Sequence, residues 1–230
     1  MALNIVKAKG LAKKAGIKTL IYADSGIGKT NLFHSTGKTL LLSLEKGDLV
    51  LDDADNVDIV RATTLAEVRE VYQYIKENND KYDTFGIDSI TDLGEQIVAE
   101  LKAMPEFQDM KKSMPMWMKF SEIMLSIAKS FRNLENINVV ITALAESVTN
   151  GFEEKILPMI PAKKIQVKLA SLYDEVFYIK VNEDGERVFI TQPTQDIVAK
   201  DRSGKLEQVE PYDKNKGLKP LFDKILGKGE

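Results

Sequence analysis

The run Asp24-Ser25-Gly26-Ile27-Gly28-Lys29-Thr30 orders glycines, a lysine and a hydroxyl in a way that suits a nucleotide triphosphate. Gly26 and Gly28 let the backbone turn tightly and aim successive N–H groups into a concave anion site, to which the N-terminus of the following helix adds. Lys29 is placed to reach the β- and γ-phosphates. Thr30 offers its hydroxyl to magnesium, which takes oxygen ligands and keeps several of its waters, and Asn31 extends the same run. The first position of the pattern G-x-x-x-x-G-K-[ST] is Ala23 instead of Gly. That position shapes the entry to the loop without touching phosphate, so Ala is tolerated while its φ stays negative.

Two carboxylates lie where they can serve that loop. A short apolar run over 83–88 closes on Asp88, which at the C-terminal edge of a buried strand is placed to hold magnesium through water. The other reading is a helix N-cap, since Asp88, Ser89, Thr91 and Asp92 all precede the spacing Leu93, Ile97, Leu101. Both hold together if Ser89 or Thr91 caps while Asp88 faces the metal. The buried run that ends in Glu45 offers either a group that positions or deprotonates an attacking water, or a solvated acid opening the next loop. Lys200 and Arg202, around Asp201, are either cations for a transferring phosphoryl group or part of a solvated turn.

Positioning such groups takes a sheet. Apolar runs predict strands at 19–23, 38–45, 57–61, 83–88 and 137–144, with helices from Lys29, near 64–78, near 91–103 and near 116–135 between them. The last carries a stripe of Trp117, Phe120, Met124, Ile127, Phe131 and Leu134 at helical spacing. This alternation predicts an α/β fold with a mainly parallel sheet. Past residue 160 come a helix through Ala170 and two strands, 175–181 and 187–191, flanking Asn182-Glu183-Asp184-Gly185 as a C-terminal β-hairpin. The expectation is one domain over 1–230, with a basic segment at 1–18 and a C-terminal extension at 205–230.

Composition narrows the classes. At 230 residues with 43% hydrophobic content the chain is long enough for a packed core, and with no cysteine it has no thiol catalysis, thiolate metal site or disulfide. No apolar stretch reaches the length of a membrane span and no cleavable signal pattern opens the chain, so the expectation is a cytoplasmic protein without membrane contact. The formal net charge of −3 confines any nucleic-acid contact to local patches, of which Lys7, Lys9, Lys13, Lys14 and Lys18 form the most basic. His34 has no sequence neighbour with which to form a catalytic pair and reads as structural.

The glycine loop, Glu45 after the second strand, the run Ile87-Asp88-Ser89-Ile90-Thr91-Asp92-Leu93, the strand Val139-Val140-Ile141-Thr142-Ala143 and the segment Lys200-Asp201-Arg202 together resemble the RecA-like P-loop core ATPases. Over nearly the whole chain they are similar to the phage-encoded Sak-type single-strand annealing ATPases. The resemblance implies ATP and magnesium as cofactors and Glu45 as the catalytic glutamate, with Lys200 and Arg202 reaching a neighbouring subunit's nucleotide. It also implies a homo-oligomer, ring or filament, with ATP between protomers. Glu146, after the fifth strand, stands where relatives sense the γ-phosphate. If the chain is phage-encoded, the compartment is the bacterial host cytoplasm.

In the RecA-like plan the loops near 104–116 and 146–161 face single-stranded DNA. They place Phe107, Lys111 and Lys112, and Phe152 with Lys163 and Lys164 just beyond, as cations and aromatics of the kind that track phosphates and stack on bases. Trp117 and Phe120 read instead as core. The implied function is a DNA-stimulated ATPase that oligomerises on single strands and promotes annealing or recombination, with a single-strand DNA-binding protein as a further partner. The alternative is a nucleotide-gated assembly or packaging ATPase with a protein partner and no DNA contact. A small-molecule kinase is disfavoured because the chain has only Arg61, Arg69, Arg132, Arg187 and Arg202 from which to build a lid. The lack of an N-K-x-D motif tilts the base toward adenine.

Overall fold

The structure is a computed structural model that describes residues 15–45, 47–109, 113–151 and 153–228. Residues 1–14, together with Lys46, Lys111, Lys112 and Phe152, lie outside the described residues, so the basic segment is represented only by its last four positions.

Six strands run parallel at the centre. They are β1 (Lys18–Ala23), β2 (Thr39–Ser43), β3 (Val57–Arg61), β4 (Thr84–Asp88), β5 (Asn138–Asn150) and, after β6 (Glu153–Pro158), β7 (Glu175–Val181). With β8 (Arg187–Ile190), β9 (Lys200–Asp201) and β10 (Val209–Pro211) they form a ten-stranded sheet of order β10-β8-β7-β1-β5-β4-β2-β3, in which β6 pairs with β5 and β9 with β7. One strand, β5, is inserted between the glycine-loop strand β1 and the acidic strand β4. This is the mainly parallel α/β plan expected from the sequence, with the C-terminal hairpin β7–β8 at one side.

The central strands read as continuous apolar runs because both faces are covered. On one face, Leu20, Tyr22, Leu42, Phe85, Ile87, Val139 and Ile141 pack under helices α1 (Leu65–Glu77), α2 (Ile90–Ala103), α3 (Ser113–Arg132) and α4 (Lys163–Ser171). Buried aliphatic and aromatic side chains of this kind contribute about 1.5–3 kcal/mol each. On the other face, Ile21, Ala23, Leu41, Val140, Phe177 and Phe189 meet Leu32 and Phe33 of a short 3-10 helix (Thr30–Ser35) and Leu218, Leu221 and Phe222 around α5 (Lys219–Leu226). Gly86 in β4 exists for that contact: a Cβ there would come within 2.5 Å of Phe33 Cε1, so β4 and the segment after the glycine loop are packed together through it.

Local chemistry sets the helix ends. Thr64 caps α1 in a capping box, accepting from Glu67 N while Glu67 accepts from Thr64 N, and Ser89 caps α2. On α3 the buried side chains are Met116, Phe120, Met124, Ala128 and Phe131, and half-buried Trp117 lies edge-on to Phe120, so both aromatics belong to the core as expected.

Four expectations are corrected. The helix after the glycine loop is one 3-10 segment of six residues, because the chain must turn at once into β2. The expected loop near 146–161 is a β-hairpin: β5 runs on to Asn150 because β6 supplies an antiparallel partner for its second half. Of the expected C-terminal extension, residues 205–228 are not an appendage, since β10 extends the sheet and α5 covers its second face, with Lys224 bound to buried Glu210 at 2.7 Å. Lys18 is buried, its ammonium donating to the Leu134 and Ile137 carbonyls, so it is no part of an exposed basic patch. Burial pushes its pKa down to about 8. Among the described residues no helix is long and apolar enough to cross a membrane.

Candidate nucleotide site

The parallel strands deliver the candidate groups to one edge. Ala23 is the last residue of β1, so it stays extended and the loop turns after it, with φ of +77° at Gly26 and +100° at Gly28. β4 ends in Asp88 and β2 ends two residues before Glu45. Those two strand ends are tied by Leu44 N donating to the Asp88 carbonyl at 2.7 Å. Strand carboxyl ends are where ligands bind in parallel sheets.

Asp88 is the hub. It accepts from Thr30 Oγ1 on Oδ2 at 2.6 Å and from Thr142 Oγ1 on Oδ1, while the Lys29 ammonium lies near enough to favour its charge. Burial nonetheless dominates and raises its pKa. Lys29 is itself buried, donating to the Ala23 carbonyl at 3.1 Å and the Asp24 carbonyl at 2.9 Å. Burial lowers its pKa against the opposing pull of Asp88, Glu45 and Asp24. Thr30 and Asp88 supply one hydroxyl and one carboxylate oxygen in contact. That set suits magnesium, which takes few protein ligands and fills its octahedron with water and phosphate oxygens, so the residues fit an ion that arrives with a nucleotide.

Glu45 sits beside this hub. Partial burial, a hydrogen bond with Asp92 and the charges of Asp92 and Asp88 push its pKa up to about 7, against a hydrogen bond from Ser89. A carboxylate that titrates near neutrality is matched to taking a proton from water. The structure therefore brings Lys29, Thr30, Asp88 and Glu45 together. Ser89 caps α2 while Asp88 faces Thr30, so the cap falls to Ser89 and the Asp88 carboxylate is directed at the glycine loop.

Some neighbours of the site carry no signal of it in the sequence. Thr142 reads as one more β-branched residue in a buried strand, and only the strand order places it against Asp88. Asp92 was visible as a capping residue, and its hydrogen bond with Glu45 depends on β2 lying next to β4. Tyr212, whose hydroxyl donates to the Gly28 carbonyl at 3.2 Å, and Arg187, close by, arrive from the far edge of the sheet. Asn31 turns its amide to the Lys214 carbonyl at 3.2 Å, and His34 bonds the Asn31 and Asn215 carbonyls, which is a structural role.

Other candidates lie elsewhere. β9 pairs with the first residues of β7, which stand opposite Thr19 at the start of β1, so Lys200 and Arg202 occupy the edge away from the glycine loop, roughly 17 Å along the strand. There Arg202 pairs with Asp174 at 2.6 Å and Lys200 donates to the Ser171 carbonyl at 3.2 Å. Phe107, expected on an open loop, lies in a 3-10 turn with its ring half-buried against the main core, so it is committed to packing. Lys163 and Lys164 are exposed at the start of α4, Lys163 lying 3.9 Å from Glu146. Glu146 also accepts from Gln166 at 2.6 Å and so points away from a phosphate-sensing role.

The profile of the family described as "AAA domain" matches residues 15–203, most of the chain. A KaiC-like protein from the hyperthermophilic archaeon Pyrococcus horikoshii, known from a crystal structure, is similar at 13% identity over 86% of each chain, with a TM-score of 0.46. No curated protein matches the chain.

Proposed function

The chain belongs to the AAA-domain family and is a P-loop ATPase, and from that premise we propose that it oligomerises on single-stranded DNA and promotes annealing or recombination of phage DNA. In the hydrolytic step Lys29 leaves the carbonyls it caps and, with the loop N–H groups, holds the β- and γ-phosphates. Thr30 and Asp88 would hold magnesium, which when bound neutralises charge on the phosphate oxygens. Glu45 takes a proton from a water whose oxygen bonds to the γ-phosphorus as the bond to the β-phosphate oxygen breaks, leaving ADP and inorganic phosphate.

The observation that carries the assembly is the separation of Lys200 and Arg202 from the loop of their own chain by the length of β1. Cations so placed do not reach the loop of their own chain, so in this reading they leave Asp174 and Ser171 to complete a neighbour's site, and a head-to-tail contact of that kind builds rings or filaments. Single-stranded DNA would then run past the β5–β6 hairpin and the start of α4, where Lys155, Lys163 and Lys164 are exposed. Lys111, Lys112 and Phe152 remain candidates from the sequence. A single-strand DNA-binding protein is a further partner in this reading.

The test is the ATPase rate with and without single-stranded DNA across a salt series. The proposal expects stimulation that fades as salt rises, because phosphate contacts release counterions. A rate indifferent to DNA at every salt concentration, with assembly intact, would favour the nucleotide-gated assembly or packaging ATPase acting on a protein partner.

A further inference from the structure

Asp88 and Glu45 mark the γ-phosphate end of the site on the side of β4 and β2. On the other side of β1 the sheet continues through β7, β8 and β10. Two side chains wait there. Tyr212 donates its hydroxyl to the Gly28 carbonyl, and a Cβ on Gly28 would stand 3.0 Å from that hydroxyl and 3.3 Å from an Arg187 guanidinium nitrogen. Gly28 is required by its positive φ, and its lack of a side chain leaves room for this close approach.

The pair is held in place by its backbone. Tyr212 N donates to the Arg187 carbonyl at 3.2 Å, which sets the two side chains on one face. The Tyr212 ring leans on Phe189 with centroids 5.3 Å apart, and the Arg187 guanidinium lies over the same ring at 5.7 Å. Next to them opens a groove of about 410 Å³ lined by Glu186, Arg187, Val188, Pro211, Tyr212 and Lys214. That volume falls in the range of about 300–1,000 Å³ common to small-molecule sites.

Resting on the reading of residues 24–31 as a triphosphate site, we propose that Arg187 and Tyr212 receive the nucleobase and ribose of the bound nucleotide. Arg187 offers its guanidinium plane to the base, backed by Tyr212 and Phe189. A planar guanidinium stacks on aromatic faces where a lysine ammonium would not.

The test compares binding of Mg·ATP with binding of Mg·tripolyphosphate, which has the phosphates and no base. Arg187→Ala and Tyr212→Ala should weaken ATP about tenfold, the scale of one lost stacking contact, and leave tripolyphosphate affinity unchanged. Tyr212→Phe keeps the ring and should bind ATP like the wild type. Retained tripolyphosphate binding certifies an intact loop in each variant. Arg187→Ala binding ATP as tightly as wild type, or losing both ligands equally, would overturn the assignment. Wild type binding neither ligand, like Lys29→Ala, would instead remove the triphosphate site on which it rests.

Discussion

Thr30 Oγ1 and Asp88 Oδ2 meet at 2.6 Å although β1, which leads into the glycine loop, and β4 are separated by β5, so the loop and the acidic strand end form one polar unit before any nucleotide arrives. The contact holds a hydroxyl and a carboxylate where a magnesium ion needs them, and burial of Asp88 raises its pKa, which means its charge is kept at a cost to the fold.

Asp88→Asn preserves volume and removes that charge, its amide accepting from one of the Thr30 and Thr142 hydroxyls and donating to the other. Hydrolysis should fall by roughly 100-fold or more, as when one group stabilising transition-state charge is lost. The melting temperature should not fall. Steady-state rates over a magnesium series, with a melting curve, check both, and a normal rate would remove Asp88 from the metal site.

Glu45 must be ionised to accept a proton, and its pKa in the free protein is about 7. kcat/KM for ATP should therefore rise with pH through a midpoint near 7 and level off above it. Asp92→Asn removes the largest raising charge beside Glu45 and should move that midpoint down toward the ordinary carboxylate range. A midpoint that stays in place in this variant would show that Asp92 does not tune the base.

Glu175 at the start of β7 gives a stability prediction. Burial, with Asp201 beside it, raises its pKa from 4.5 to about 8, so the folded chain holds a proton there that the unfolded chain has released. Its contribution is complete below about pH 4.5 and is lost as pH rises to about 8. Glu175→Gln is neutral throughout, so the gap in melting temperature between it and the wild type should shift in its favour from pH 5 to 8. Parallel melting curves over this interval would contradict the buried, protonated state.

Much of this was legible in the chain because the informative signals are local. Glycines at 26 and 28 with Lys29 and Thr30 need only a preceding strand to be read, and Asp88 and Glu45 are found by asking what closes a short apolar run. What escaped depends on contacts that no window of sequence contains. Thr142 matters only because β5 is inserted beside β4. Arg187 and Tyr212 lie more than 150 residues from Gly28 and reach it through β8 and the edge strand β10. Lys18 looks like one more exposed cation until the carbonyls of Leu134 and Ile137 are seen to enclose it. Phe107 reads as a free aromatic because the core it leans on comes from other helices.

In the proposed assembly the hydrolytic site is shared, with the loop, Asp88 and Glu45 from one protomer and Lys200 and Arg202 from the next. Mixing Glu45→Gln chains with Arg202→Ala chains, each inactive or slow alone while still binding ATP, tests this most directly. A shared site predicts that the mixture recovers ATPase activity, because some interfaces then pair an intact Glu45 with an intact Arg202. A mixture no more active than the average of its two components, in protein shown to assemble, would contradict it.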